Sequence, residues 1–220
     1  MPTLKAHLLS RIKNMPGVLT SSGIEGVSAS GVPDGNLTLR KSKPGQVLIR
    51  NDQMYRHKVI RFNYTTYDVR RVQDVVNPNT SHANIMVLAP SDNCVDGQQW
   101  LPHKFWYARV LGIYHVNAVY VGPDMVDYTP RRLDFLWVWW YHLKSARVSG
   151  WPVRKLHRLS FPPMSSDHAF GFLDPADVLC SCHIIPAFAR GRRYVGTGHS
   201  GGLSACARDS GDWNQYYVGQ

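Results

Sequence analysis

Apolar residues crowd into one stretch, Phe105 to Tyr141 (FWYARVLGIYHVNAVYVGPDMVDYTPRRLDFLWVWWY), where aromatic and β-branched residues fill two long runs separated by a polar break carrying Gly122 and Pro123. This composition predicts paired strands. Phe105, Tyr107, Arg109, Leu111 and Ile113 alternate with Trp106, Ala108, Val110, Gly112 and Tyr114. Both faces are therefore largely apolar, and neither reads as freely solvated. A buried, curled sheet follows, with Gly112 suited to a bulge or bend such as a small barrel needs at its corners.

Elsewhere the pattern is weaker. Leu4, Leu8 and Ile12, joined by Leu9 and Met15, fall at helical spacing until Pro16-Gly17. So short a helix holds only against something else. The Gly/Ser-rich run from Gly17 to Asn36 reads as a linker, and the first 36 residues are expected to pack poorly. From Leu37 basic residues mix with β-formers in rough alternation, as in partly exposed strands or arms, and Ala83 to Ala89 is a better strand. Asp174 is suited to cap a helix with Pro175 at its first position, which predicts a helix near 175–181. RGRRYVGTGHSGG reads as a mobile basic loop, and DWNQYYVGQ as a last strand cut off near its end.

The expected fold is all-β or β-rich α+β: a small partly open barrel with one or two short helices and a disordered N-terminal segment. Its strands fall near 83–89, 105–116, 118–122, 134–142 and 213–218. Three segments follow: 1–36, a short amphipathic helix plus flexible linker; 37–82, basic strands or arms; and 83–220, a barrel-like domain truncated at its C-terminus.

A chain of 220 residues with 44% hydrophobic content is enough for one core and an appended arm. No apolar run approaches the roughly 18 residues of a membrane span, and no signal-peptide core opens the chain, so a soluble intracellular protein is expected. Four cysteines without disulfide-framework spacing fit a reducing compartment. The net charge of +10 is uneven: residues 1–80 carry 12 Lys/Arg against 5 Asp/Glu, residues 81–144 balance 5 against 5, and residues 145–220 carry 8 against 5. Such an excess attracts polyanions, nucleic acid first among them. Arg56, Lys58, Arg61, Arg70 and Arg71, with His57 among them, and Arg190, Arg192 and Arg193 are the candidate phosphate contacts. The competing reading is ordinary solvated charge.

Catalytic signatures are missing: there is no Gly-x-Ser-x-Gly elbow, no HExxH, and no Cys/His pair in a supporting context. Asp127, Asp134, Asp167 and Asp174 are the carboxylates available for a two-metal site, but Asp174 is better explained as a helix cap and Asp127 and Asp134 as loop residues. Cys180, Cys182 and His183, with His199 and Cys206 further on, are weak zinc candidates because C-x-C-H is not a usual knuckle spacing. No cofactor is expected. The aromatic set offers a groove for stacked bases or a cage for methylated lysine, with Trp106, Tyr114 and Trp139 as candidates and Trp139 the one expected to be exposed.

The order FWYARVLGIYHV, MVDYTPRRLDFLWVWWY, LSFPP, AFGFLDPADVL, CHIIPAFARGRR and DWNQYYV resembles the C-terminal region of proteins encoded by Plavaka-type elements of basidiomycete fungi, relatives of the CACTA transposons. With YTTYDVRRVQD and NIMVLAP upstream, the resemblance covers roughly residues 50–218. A looser similarity links the chain to the C-terminal domain of plant CACTA transposases through Trp106-Tyr107, Phe135 to Tyr141, Phe170-Gly171-Phe172 and Tyr216-Tyr217-Val218. The layout is also similar to bromo-adjacent homology domains, which are chromatin-associated β-barrels.

The resemblance implies no catalytic role, because this region is not the part of a transposase that cuts DNA. It implies a non-enzymatic accessory module, nuclear, contacting duplex DNA or chromatin and other transposon-encoded protein, with no membrane partner. The alternative is a structural or assembly domain without nucleic-acid binding. Trp139 and Cys180 stand where the fungal pattern has Arg. Each change is one C-to-T transition in an Arg codon, as in a decaying transposon copy.

Overall fold

The computed structural model describes residues 2–15, 46–65, 70–89, 104–122, 128–144, 156–193 and 212–219. Along them run α1 (Pro2–Lys13), β1 (Val47–His57), β2 (Ile60–Thr65), β3 (Arg71–Val76), β4 (Asn84–Leu88), β5 (Phe105–Tyr120), β6 (Arg131–Trp140), β7 (His142–Lys144), β8 (Arg158–Ser160), β9 (Phe170–Leu173), β10 (Val178–Ser181), β11 (His183–Pro186) and β12 (Tyr216–Gly219). The protein is strand-rich, and its sheets do not close into a barrel. The chain divides into two compact units, Met1–Tyr55 with His115–Leu133, and Arg56–Tyr114 with Asp134–Gln220. The expected linker at 17–36 lies outside the described residues.

In the smaller unit α1 buries Leu4, Leu8, Leu9 and Ile12, the stripe that its spacing predicts. For these residues the expectation of poor packing is wrong, because the stripe is wide enough to dock. Basic Arg11 and Lys13 sit in the last turn, where they complement the helix dipole, and the Lys13 ammonium lies 5.9 Å from the centre of the Tyr120 ring. β1 pairs with β5 and is kinked midway: Asn51 and Asp52 both take positive φ, 56° and 51°, a left-handed step that bends the strand locally. Past the kink, Tyr55 stacks on His115 of β5 with ring centres 4.7 Å apart.

The larger unit is built on the sheet path β10-β4-β5-β6-β9. Its two edge strands are joined by only Asp174 and the 3-10 turn Pro175–Asp177. That link reaches roughly 13 Å, whereas the edges of a flat five-stranded sheet lie about 19 Å apart, so the sheet curls. Inside the curl Ile85, Val87, Ala108, Val110, Ile113, Leu136, Val138 and Leu173 form one apolar cluster, capped by Phe62 and Val76 of the β2–β3 hairpin. On the outer face Tyr107, Leu111, Trp139 and Tyr141 meet Leu159, Phe161, Tyr216 and Val218 of the second sheet, β11-β12-β8-β7. β5 and β6 are thus covered on both faces, as their continuous apolar character requires.

Gly112 marks the bend. Tyr107 and Leu111 belong to the outer cluster, yet Ile113, of the same parity, belongs to the inner one, so the strand changes face between Leu111 and Ile113. The Tyr114 ring lies where a Cβ on Gly112 would sit.

Two expectations fail locally. The segment expected as a strand of its own at 118–122 is instead the end of β5, which runs unbroken through Ala118 to Tyr120. The helix near 175–181 stops after one 3-10 turn: Asp174 does cap it, accepting from the Ala176 amide at 3.0 Å, but Val178–Ser181 then pairs with β4 as β10. Completing the sheet edge satisfies more backbone than a second helical turn would.

Candidate nucleic-acid interface

Strict alternation makes the β2–β3 hairpin two-faced. Its register pairs Ile60 with Val76, Phe62 with Asp74 and Tyr64 with Val72 on one side, and Arg61 with Val75, Asn63 with Gln73 and Thr65 with Arg71 on the other. The first side turns inward, and the second is exposed along its length. Asp74, the one carboxylate of the two strands, points inward. It accepts from the Ser181 amide of β10 at 2.7 Å and from the Tyr64 hydroxyl at 3.4 Å. Desolvation, with Asp74 second, holds the Tyr64 hydroxyl above the usual phenol range. The outer face therefore carries Arg61 and Arg71 at diagonal corners and no acidic group. Exposed Lys58 lies just before β2, exposed Arg70 just before β3, and exposed Arg56 near the end of β1. The five N-terminal candidates thus gather on and around one hairpin.

The second basic group is arranged differently. Arg190 is exposed in the 3-10 turn Phe188–Arg190, and its carbonyl accepts from Asn214 Nδ2 at 3.0 Å. Arg192 lies 5.2 Å from the Trp213 ring centre. Arg193 is half-buried, 5.5 Å from the Trp139 ring centre, and donates to the Pro162 carbonyl at 3.3 Å. Arg192 and Arg193 are thus engaged in holding the fold around β12, and Gly191 takes the positive φ of 72° that the turn needs.

The candidate aromatic groove does not assemble. Trp139 is fully buried, 0% exposed, stacked on Phe161 at 3.9 Å and on Phe170 at 5.5 Å. The expectation of an exposed indole is wrong because the second sheet covers this face of β6. Trp106, 40% exposed, contacts Trp140 edge-on at 5.7 Å at the inner cluster, and Tyr114 stacks on Phe135 at 5.7 Å. Each of the three has different neighbours.

Nor do the metal candidates converge. Among the described residues Cys180, Cys182 and His183 bring no three ligand atoms together, and Cys94, His199 and Cys206 lie outside those residues. Burial pushes the Cys180 thiol up, and burial with Cys180 beside it pushes Cys182 up to about 12. Both stay protonated and chemically quiet near neutral pH.

Sequence reasoning missed a buried polar centre in the larger unit. Arg109 of β5 pairs with Asp212 at 2.5 Å, and its guanidinium lies 4.6 Å from the Phe161 ring centre, 5.5 Å from Tyr216 and 5.9 Å from Tyr141. Tyr216 donates to Asp212 at 3.0 Å, and Tyr141 donates to Asn84 Oδ1 at 3.0 Å. The one available signal was a lone Arg in an apolar strand, which needs a buried partner. No helix of the described residues is long and apolar enough to cross a membrane. No protein-family model matches the chain, and comparisons with curated proteins and with solved structures find no match.

Proposed function

We propose that this chain is a non-enzymatic accessory module of a transposon-encoded protein that contacts duplex DNA in the nucleus. The observation that carries the reading is the outer face of the β2–β3 hairpin, exposed, doubly charged and free of carboxylates. Arg56, Lys58 and Arg70 extend the same positive field. Such a surface neutralises phosphates and releases their counterions, so binding weakens steeply as salt rises.

A salt titration of the full chain on random duplex tests this. Replacing Arg56, Lys58, Arg61, Arg70 and Arg71 by Gln lowers affinity and flattens the salt slope by roughly one unit per lost phosphate contact. Binding unchanged by the five substitutions moves the contact surface elsewhere. Absence of binding at low salt favours a second reading, an assembly domain, for which exposed Phe188 and Leu88 supply apolar contact.

A further inference from the structure

The proposed function places phosphate contacts on the β2–β3 hairpin; resting on that reading, a finer one concerns what the same face reads. We propose that the hairpin enters the major groove of duplex DNA and recognises an adenine beside a thymine through Asn63, Gln73 and Val75.

The dimensions suit the groove. Six residues per strand make a ribbon roughly 20 Å long, and the B-DNA major groove, about 12 Å wide, admits a two-stranded ribbon. Arg61 and Arg71, four pairing positions apart, are separated by roughly 14 Å along the ribbon, so they reach phosphates on either side of a base contact made between them.

The central pair is Asn63 with Gln73, and the Gln73 amide donates to Asn63 Oδ1 at 2.8 Å. That bond leaves Gln73 Oε1 and the Asn63 Nδ2 hydrogens unused by it, an acceptor and a donor on paired exposed residues. Adenine shows the complement in the major groove, the N6 donor beside the N7 acceptor. Guanine shows two acceptors there, so its O6 would face Gln73 Oε1 and repel it.

Val75 supplies the second element. It is 45% exposed and the one apolar side chain on this face, whose other members are Arg61, Asn63, Thr65, Arg71 and Gln73. Two residues along β3 from Gln73, it sits about 7 Å away, within reach of the neighbouring base pair. The thymine C5 methyl is the apolar group that the major groove offers.

Major-groove analogues test the assignment on the full chain. An A·T-centred duplex is bound about tenfold or more tighter than a G·C-centred one of equal length, in line with one good amide–adenine contact. Replacing adenine by 7-deazaadenine, or thymine by uracil, cuts that preference several-fold. The Asn63→Ala/Gln73→Ala variant binds both duplexes alike with its salt slope unchanged, and Val75→Ala loses only the discrimination against uracil. Equal binding of A·T and G·C duplexes by the parent chain overturns the inference, as does a preference indifferent to both analogues. So does equal affinity for duplex RNA, whose major groove is too narrow to enter. Salt-sensitive but sequence-blind binding refutes this inference alone, whereas no binding to any duplex refutes the DNA reading beneath it.

Discussion

The Arg109 guanidinium lies 4.6 Å from the centre of the Phe161 ring, so the aromatic box of the larger unit is occupied by the protein's own cation. Tyr141 and Tyr216 form further walls, and Asp212 supplies the counter-charge. This is the arrangement by which aromatic cages hold methylated ammonium groups, here used to tether the residues before β12 to β5.

Removing one partner of this pair should be costly. Arg109→Met or Asp212→Asn leaves an uncompensated polar or charged group in the core and is expected to lower stability by about 3–5 kcal/mol. The double variant Arg109→Met/Asp212→Leu should recover most of the loss. Urea unfolding of the three variants measures this. A double variant as unstable as the sum of its parts would mean that the two groups are not coupled, against their pairing in the core.

Trp139 allows a sharper comparison. Its indole is fully buried among Phe161 and Phe170, with Arg193 above the ring, and its N–H has no acceptor among the described residues. Trp139→Phe loses volume but also removes a stranded donor, so a change within about 2 kcal/mol is expected. Trp139→Arg instead buries a second cation beside Arg193 and should cost more than about 3 kcal/mol, seen as a melting temperature lower by many degrees. An unchanged melting temperature for Trp139→Arg would place the side chain at the surface.

How far the sequence reveals this fold depends on how local each signal is. The two-sided apolar character of β5, the bend at Gly112 and the Asp174 cap are written in neighbouring residues, and all three are present. The burial of Trp139 is not, because it depends on a second sheet assembled from strands as far apart as β7 and β12. The left-handed kink at Asn51-Asp52 lies within a basic stretch that reads as a continuous arm. On the β2–β3 hairpin the basic residues are evident from composition, but the inward turn of Asp74, which leaves the outer face purely cationic, follows from the register of β2 against β3 and from the Ser181 amide. Long-range partners of this kind leave no periodic trace in the chain.

Alkaline pH should unfold the larger unit through its buried tyrosines. Burial holds the Tyr216 hydroxyl up at about 12, against the lowering effect of Arg109, and holds Tyr141 further above the ordinary phenol value. In the unfolded chain both ionise near pH 10, so the stability they lend is complete below that pH and lost as pH rises through the folded values. For Tyr216 the loss is on the order of 2–3 kcal/mol between about pH 10 and 12. Tyrosinate absorbance followed beside circular dichroism tests it. Two tyrosines ionising together with the loss of β-structure is the expected result, and their ionisation well before unfolding would contradict it.

The α1 stripe leads to a prediction about the smaller unit, where a helix of 12 residues is too short to persist alone. Leu8 is 0% exposed in the middle of the stripe, so Leu8→Ala removes a buried side chain and leaves a cavity, at an expected cost of about 2–5 kcal/mol. The neighbouring exposed residue provides the control: Ala6→Ser alters no buried surface and should change stability by no more than about 0.5 kcal/mol. Amide exchange along Leu4–Ile12 reads the effect directly, because these hydrogens are protected only while the helix stays docked. Protection that survives Leu8→Ala undiminished would mean that the helix is held by something other than its apolar stripe.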